Sequence, residues 1–344
     1  MAAGRCRPAV APGGRGAAAP LNAIATRALT KRYGDITAVD GLDLAVEQGV
    51  LYGFLGPNGA GKTTAIRMAL GLIFPTSGAV EVLGEPVFAD GRPGPGRVLR
   101  RVGAVVEEPA FWKYLSGRRN LEYFARAAGP AADREARLAR VDHVLGLVGL
   151  EQAADKKVKA YSQGMRQRLG VALSLLGEPD VLVLDEPTNG LDPQGMRDVR
   201  LLLRRVADQG TTVFVSSHLL WEVEAMCDLV GVLARGRLVA EGPPSELRTA
   251  GDHVRIAVDD RARAERVLER FDGATVVEDL EAAPDGSSPP GGSWIRVRLA
   301  LPATPAAVNT ALVSDGVEVG ALVPERATLE EVFLSLVEGA DVPR

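Results

Sequence analysis

The sequence lacks any uninterrupted apolar run of the roughly 18 to 20 residues that a membrane-spanning helix needs, so we expect that the chain does not cross a bilayer by itself. It has only two cysteines, Cys6 and Cys227, and they show neither paired spacing nor a metal-ligand pattern. This favours a reduced, cytoplasmic setting. An excess of basic charge is also missing, because 40 Lys and Arg residues face 44 Asp and Glu residues. The chain therefore has no overall attraction to nucleic acid.

The first twenty residues are rich in Ala, Gly, Pro and Arg. Pro8, Pro12 and the Gly13-Gly14 pair interrupt any apolar segment that a secretory signal would need. We therefore interpret residues 1–20 as a disordered tail.

The main part of the chain alternates between strand and helix patterns. Two antiparallel strands are predicted between Ile24 and Val46, with a turn near Gly34. Strands and helices then alternate from Val50 to Leu233, which indicates a mainly parallel α/β core. Residues 117–177 have helical spacing throughout and are interpreted as a helical insertion. We assign residues 21–243 to this first domain.

A second, smaller α+β domain is predicted over residues 252–344, after a boundary near Pro243–Gly251. Its patterns follow the order β-α-β-β-α-β, which is that of a ferredoxin-like unit. A Gly/Ser/Pro-rich loop is expected at residues 283–292, and a final helix is expected over Leu329–Val337.

A glycine-rich segment follows the apolar run that ends at Leu55, and it fits the pattern G-x-x-x-x-G-K-[ST]. In such a loop, backbone N–H groups surround phosphate oxygens, and the following helix adds partial positive charge. Lys62 is expected to reach the β- and γ-phosphates, and the Thr63 hydroxyl is expected to ligate Mg²⁺. An ordinary glycine-rich turn would not need the strand before it and the helix after it. The candidate phosphate-binding residues are Gly56, Pro57, Asn58, Gly59, Ala60, Gly61, Lys62, Thr63 and Thr64.

Two acids end another apolar strand, Val181–Leu184. Asp185 fits a carboxylate that holds Mg²⁺ directly or through water. Glu186 follows it and is expected to polarise an attacking water. A simpler interpretation is that the two acids only cap a surface turn. The buried strand before them and the phosphate loop elsewhere in the chain argue against that interpretation.

With these motifs in place, residues 23–242 resemble the ATP-binding cassette ATPase family. The segment Tyr161–Arg168 resembles the family's signature motif, Gly190-Leu191-Asp192 its D-loop, and His218 its switch histidine. Tyr33 stands where the family places an aromatic ring on adenine. The resemblance implies a P-loop NTPase fold with an antiparallel β subdomain and a helical insertion.

The resemblance also implies a head-to-tail pair of cassettes with ATP held between them. Ser162 and Gly164 would then face the γ-phosphate bound by the other copy, and His218 would contact the γ-phosphate of its own copy. Asp192 of the D-loop would belong to the nucleotide-binding residues. Taken alone, His218 is a structural histidine and Tyr33 ordinary packing. The motif order favours the functional interpretation for both. His143 and His253 lack such support and are taken as structural or surface residues.

Two departures from the family pattern stand out. Glu107 occupies the position where the family usually has Gln, a replacement that resembles the lantibiotic and bacitracin exporter ATPases; we expect it to offer oxygen to Mg²⁺ or water. Gln163 and Met165 replace the usual Gly and Gln of the signature.

The segment Thr328–Leu336 resembles the tail of daunorubicin- and bacitracin-type export cassettes.

The resemblance implies an ATPase that uses ATP and Mg²⁺ and works as a homodimer, or as a heterodimer with a related cassette. Its partner would be an integral membrane permease on separate chains, without nucleic acid. The protein would lie in the cytoplasm, peripherally associated with the inner face of the cell membrane, and would drive export of an antibiotic, peptide or lipid-like compound. The aromatic group Phe111, Trp112 and Tyr114 is either a docking patch for the permease or core packing.

Two other functions stay open from the sequence. One is a soluble cassette ATPase that acts on ribosomes or DNA, although those proteins usually carry two cassettes or a long coiled coil. The other is an ATP-binding regulator without hydrolysis, against which Glu186 and His218 argue.

Overall fold

The computed structural model describes residues 22–89, 92–94, 96–107, 110–127, 133–247, 253–280, 293–300 and 302–325. The expected tail at 1–20, the loop at 283–292, the helix over Leu329–Val337 and the segment Thr328–Leu336 lie outside these ranges. Within them, no helix combines the length and the apolar character that crossing a membrane requires.

The secondary structure alternates as the sequence predicts. The helices are α1 Lys62–Ala69, α2 Gly117–Ala127, α3 Arg134–Leu147, α4 Gln163–Leu175, α5 Pro193–Asp208, α6 Leu220–Met226, α7 Pro244–Leu247, α8 Arg261–Glu269 and α9 Pro305–Ser314. The strands are β1 Asn22–Tyr33, β2 Ile36–Glu47, β3 Leu51–Leu55, β4 Ser77–Val82, β5 Glu85–Pro86, β6 Phe88–Ala89, β7 Arg92–Pro93, β8 Val102–Val105, β9 Val181–Asp185, β10 Thr212–Ser217, β11 Leu229–Ala234, β12 Arg237–Gly242, β13 His253–Val258, β14 Ala274–Leu280, β15 Ser293–Leu299 and β16 Val319–Glu325.

A six-stranded sheet in the order β12-β11-β3-β10-β9-β8 forms the centre of the first domain. Its neighbours pair in parallel except β12, which runs antiparallel to β11. Both faces of its inner strands are covered, so strands such as β3 and β9 are largely apolar. In β3, for example, Leu51 and Leu55 pack into a core with the helices of the insertion. Tyr52 and Phe54 pack against α1 and the antiparallel sheet.

The antiparallel sheet has the order β2-β1-β4-β5, and β1 and β2 form the hairpin expected from the sequence. The predicted helical insertion contains α2, α3 and α4. The predicted P-loop NTPase fold with an antiparallel subdomain and a helical insertion is therefore confirmed.

The C-terminal unit is a four-stranded antiparallel sheet in the order β14-β15-β13-β16, with α8 and α9 between its strands. Val254, Ile256, Ile295 and Val297 belong to its own apolar core. The expected order β-α-β-β-α-β is present, and a ferredoxin-like unit remains our interpretation of it.

Two local features differ from the sequence-based expectation. Helix α1 ends at Ala69 rather than near Ile73, because Gly71 adopts a left-handed conformation with φ of 69° that terminates helices. Strand β12 was not expected, because its residues Arg237–Gly242 lack a continuous apolar run.

Candidate functional site

The glycine-rich loop connects β3 to α1 and is packed tightly against neighbouring backbone. Gly61 has φ of 104°, and a Cβ atom there would lie 2.2 Å from the carbonyl oxygen of Ala38. A Cβ atom at Gly56 would lie 2.5 Å from the carbonyl oxygen of Leu233. Only glycine fits either position. The loop therefore turns tightly into the start of α1, where the N-terminal end of the helix favours an anion.

The Lys62 side chain lies at the centre of this loop and is only 5% exposed. Its Nζ donates to the carbonyl oxygens of Gly56 at 2.6 Å and Pro57 at 3.2 Å. The same atom lies 3.4 Å from Glu186 Oε1. The loop thus holds a buried ammonium group beside one carboxylate. The positive charge of that ammonium is what a polyphosphate needs for binding.

The remaining loop residues surround this lysine. Asn58 and Gly59 are exposed at the tip, whereas Ala60 is buried and its N–H donates to the carbonyl oxygen of Pro57 at 3.1 Å. Thr63 and Thr64 form the first turn of α1 after Lys62, and both are half-buried.

Asp185, at the end of β9, lies opposite the first turn of α1. Its Oδ2 accepts a hydrogen bond from Thr63 Oγ1 at 2.7 Å, and its Oδ1 accepts one from Ser216 Oγ. The parallel register of β9 and β10 pairs Ser216 directly with Asp185. Hydroxyl and carboxylate oxygens in this arrangement are ligands that Mg²⁺ prefers, so Thr63 and Asp185 fit the expected metal.

Glu186 adopts an unusual backbone conformation for a residue with a side chain, with φ of 47°. Its N–H donates to Ser216 Oγ at 2.9 Å. One carboxylate oxygen faces Lys62, and the other lies 3.0 Å from Nδ1 of His218. The backbone therefore aims the Glu186 carboxylate between a cation and an imidazole.

Of the three histidines, His218 alone belongs to this group of contacts. Its side chain is about one-third exposed. His143 is exposed on α3, and His253 begins β13 in the C-terminal unit.

Glu107 reaches the same region, but its carboxylate forms an ion pair with Arg67 of α1. Its backbone is also left-handed, with φ of 69°. The expected metal or water contact of Glu107 stays a prediction. The pairing with Arg67 was not expected from the sequence, because it depends on how α1 faces the segment after β8.

A cleft of about 400 Å³ opens at these side chains. It is lined by Thr63, Glu107, Gln163, Arg166, Gln167, Asp185, Glu186 and Asn189. Four residues at the site were not predicted from the sequence: Arg166, Gln167, Asn189 and Ser216. Arg166 and Gln167 lie within the signature segment, and Asn189 immediately precedes the D-loop. Ser216 pairs with Asp185 in the register of β9 and β10.

The signature segment and the D-loop lie side by side at two helix starts. Ser162 caps α4 by accepting from the Met165 N–H at 3.2 Å, and Asp192 caps α5 by accepting from the Gly195 N–H at 3.0 Å. Gln163 Nε2 donates to the carbonyl oxygen of Asn189 at 3.3 Å. No hydrogen bond or ion pair among the described residues joins these caps to Lys62, Asp185 or His218.

Gly164 and Tyr33 also lie apart from those contacts. Gly164 has room for a Cβ atom, since the nearest neighbour would be a Leu191 methyl group at a contact distance of 3.8 Å. Tyr33 ends β1, is 48% exposed and has the Lys31 ammonium 5.0 Å from its ring centroid. An exposed aromatic ring of this kind is suited to stacking on a flat base.

Tyr161 immediately precedes Ser162, the N-cap residue of α4, and its hydroxyl group fixes the start of that helix. Its hydroxyl donates to the carbonyl oxygen of Ala153 at 2.7 Å. Burial, followed by the negative charge of Asp155, raises the pKa of the Tyr161 hydroxyl. The group therefore stays a neutral donor, which fixes the start of α4.

A family model described as "ABC transporter" matches residues 39–189. The chain is 39% identical to the bacitracin transport ATP-binding protein BcrA of Bacillus licheniformis, over 93% of this chain and 98% of that protein. It is 37% identical to the daunorubicin/doxorubicin resistance ATP-binding protein DrrA of Streptomyces peucetius, over 92% of this chain and 93% of that protein. Both matches extend across the C-terminal unit.

Solved structures agree with this similarity. A Clostridium perfringens cassette, described as part of an ABC transporter complex, superposes with a TM-score of 0.61 at 27% identity, covering 73% of this chain and 96% of that one. A dimeric bacterial ABC transporter cassette superposes with a TM-score of 0.58 at 25% identity, covering 64% of this chain and 98% of that one.

Proposed function

The chain belongs to the ABC transporter family as an ATP-binding ATPase subunit, and we propose that it powers a membrane permease encoded on separate chains. The observation that best supports hydrolysis is the position of the Glu186 carboxylate. It lies 3.4 Å from the Lys62 ammonium and 3.0 Å from the His218 ring. A base between a phosphate-binding cation and an imidazole is suited to water attack on a terminal phosphate.

We assign each of these side chains one step. The loop amides and Lys62 bind the β- and γ-phosphates. Glu186 accepts a proton as the water oxygen bonds to the γ-phosphorus and the bond to the bridging oxygen breaks, which releases ADP and phosphate. His218 orients Glu186 and the terminal phosphate.

Thr63 and Asp185 would hold Mg²⁺, with Glu107 beside them. When bound, this ion supplies positive charge against the phosphate oxygens. Ser216 keeps the Asp185 carboxylate in place through its hydroxyl.

We further propose that two cassettes share each ATP, with Tyr33 on the adenine. Ser162, Gly164 and Asp192 lie at helix starts that have no hydrogen bond to the phosphate loop in the described part of the chain. Helix starts of this kind favour anions. A second copy, or a related cassette, would therefore supply them across the seam. Residues 21–243 would form the cassette and residues 252–344 an accessory domain.

An exposed aromatic surface supports permease docking. Trp112 is 41% and Tyr114 66% exposed, whereas Phe111 is half-buried and packs against the core. Trp112 also stacks on Phe124 with ring centroids 5.3 Å apart. The aromatic group thus divides between the two roles expected from the sequence. Docking here would place the protein at the inner face of the cell membrane.

The names of BcrA and DrrA concern bacitracin transport and daunorubicin/doxorubicin resistance. We therefore propose export of an antibiotic, peptide or lipid-like compound. These relatives give no support to a role on ribosomes or DNA, or to a regulator without hydrolysis.

The test compares Glu186→Gln with Glu47→Gln, a control at an exposed site at the end of β2. Glu186→Gln should keep ATP binding, lose turnover and accumulate as an ATP-bound dimer in gel filtration, whereas the control should match the unaltered protein. Lys62→Ala should lose nucleotide binding, because it removes the loop cation. Unchanged turnover in Glu186→Gln would remove that residue from its assigned role. Purification from detergent-extracted cells should recover a polytopic permease rather than ribosomes or DNA.

A further inference from the structure

Glu222 on α6 is a carboxyl group with no exposed surface. Its Oε2 accepts hydrogen bonds from Thr188 Oγ1 at 2.6 Å and Ser217 Oγ at 3.2 Å. Its Oε1 has no hydrogen-bond donor among the described residues. Burying an acid in this way costs free energy, so its retention needs an explanation.

Both donors are next to the proposed reaction centre. Thr188 follows Glu186 by two residues, and Ser217 immediately precedes His218. The Ser217 hydroxyl also accepts from the N–H of Leu219 at 2.9 Å. A single carboxylate oxygen therefore joins the segment that carries Glu186 to the segment that carries His218.

The contact between Glu186 and His218 depends on the spacing of these two segments. Each segment follows the end of its own strand, β9 or β10, where the ladder of main-chain hydrogen bonds stops. Glu186 is in a left-handed conformation there, which backbone preference alone disfavours. The Ser216 hydroxyl holds the Glu186 N–H at the strand end, and the contacts to Glu222 add a second link between the segments whose side chains lie 3.0 Å apart.

We propose that Glu222 is a positioning residue that sets the geometry of Glu186 and His218 by holding Thr188 and Ser217 on one buried oxygen. This inference rests on the roles proposed above for Glu186 and His218. A purely structural filler would not need a carboxylate, because leucine has a similar volume and leaves no oxygen without a donor.

Four variants test the inference. Glu222→Leu removes the acceptor, Glu222→Gln keeps one oxygen that can accept both bonds, and Thr188→Val removes one donor at nearly constant volume. Glu224→Gln, on the same helix and half-buried, is the control. Folding is checked by circular dichroism and ATP affinity by a fluorescent analogue, and kcat and KM are measured together.

We expect Glu222→Leu to lower kcat by about 10-fold or more with KM for ATP within about 3-fold, because a displaced base affects the reaction step rather than binding. Thr188→Val should lower kcat by about 3- to 10-fold. Glu222→Gln should recover most of the activity, and Glu224→Gln should match the unaltered protein. If Glu222→Leu fails to fold, the comparison of kcat between Thr188→Val and Glu224→Gln tests the positioning role.

The inference is overturned if folded Glu222→Leu or Thr188→Val keeps full kcat, or if Glu222→Gln loses as much kcat as Glu222→Leu. Glu186→Gln, measured in parallel, separates this result from the proposed function. When Glu186→Gln loses turnover and the Glu222 and Thr188 variants do not, only the positioning role fails. When Glu186→Gln itself turns over normally, the assigned base is wrong.

Discussion

Replacing Ser216 by alanine should damage the site out of proportion to the single oxygen that is lost. Ser216 is fully buried, and its hydroxyl makes two contacts at once. It donates to Asp185 Oδ1 and accepts from the Glu186 N–H, the latter at 2.9 Å. Ser216→Ala therefore leaves one acceptor and one donor without their partner.

The cost follows from these two groups. A buried polar group that loses its hydrogen bond costs about 1 to 3 kcal/mol. Asp185 keeps its bond from Thr63, so the larger part of the loss falls on the Glu186 N–H. We therefore expect Ser216→Ala to lower the unfolding free energy of the cassette by about 2 to 3 kcal/mol.

The effect on turnover should match the effect on stability in free energy, because a 10- to 100-fold fall in kcat corresponds to about 1.4 to 2.7 kcal/mol. Glu186 holds a left-handed backbone, which costs about 1 to 2 kcal/mol for a residue with a side chain. The Ser216 hydroxyl helps to hold that conformation. Without it the Glu186 carboxylate should shift, and kcat should fall by about 10- to 100-fold while KM for ATP changes little.

Ser174→Ala provides the matched control. Ser174 is also buried, but its hydroxyl donates to the Val171 carbonyl oxygen within its own helix at 2.8 Å. It should cost less than about 1 kcal/mol, because the helix keeps its own main-chain bonds. Urea unfolding and steady-state ATP hydrolysis measure both variants. The reasoning is refuted if the two variants are equally stable and Ser216→Ala retains kcat within about two-fold.

Three further predictions concern stability and reactivity. Gly61→Ala should lower the unfolding free energy by more than the roughly 1 to 2 kcal/mol expected for Gly34→Ala. Both glycines have positive φ, but only a Cβ atom at Gly61 would collide with a backbone carbonyl. Urea unfolding compares the two variants, and equal losses of unfolding free energy would contradict the clash. Burial raises the pKa of the Cys227 thiol, so iodoacetamide at pH 8 should label this thiol only after the protein is unfolded in urea. Peptide mass mapping measures the labelling, and rapid labelling of the folded protein would contradict the burial of Cys227. Glu107→Gln should change the unfolding free energy by less than about 1 kcal/mol, because its ion pair with Arg67 is largely exposed; a loss several times larger in urea unfolding would contradict that assignment.

The sequence predicted the parts of the site that a linear motif specifies. Lys62 and Thr63 follow from the spacing of glycines after a strand, and Asp185 and Glu186 follow from an apolar run that ends in acids. The structure brings these four residues together with His218. Their catalytic roles remain predictions that the variants above test.

Contacts between separate segments were not predictable in the same way. Ser216 contacts Asp185 because β9 and β10 pair in parallel with that register, and the sequence alone does not state the register. Arg67 pairs with Glu107 because α1 faces the segment after β8. Glu222 is buried by tertiary packing. The sequence around it gives no sign of this burial, because Glu222 is simply one charged residue in the short helix α6.

The division of the site between strand ends and helix starts favours a two-copy enzyme. Lys62 and His218 follow β3 and β10, and Asp185 ends β9. These three strands are parallel neighbours in one sheet, so the three side chains meet at the same edge. Ser162 and Asp192 instead occupy the starts of α4 and α5, where each already caps its own helix. Gln163, the first residue of α4, lines the same cleft as Thr63 and Asp185, but no hydrogen bond among the described residues joins the two caps to the phosphate loop. Under the two-cassette proposal, a second copy would supply those helix starts. The two-cassette proposal predicts that assembly precedes turnover, so Glu186→Gln, in which the assembled state should persist, is the variant most informative about both the base and the pairing.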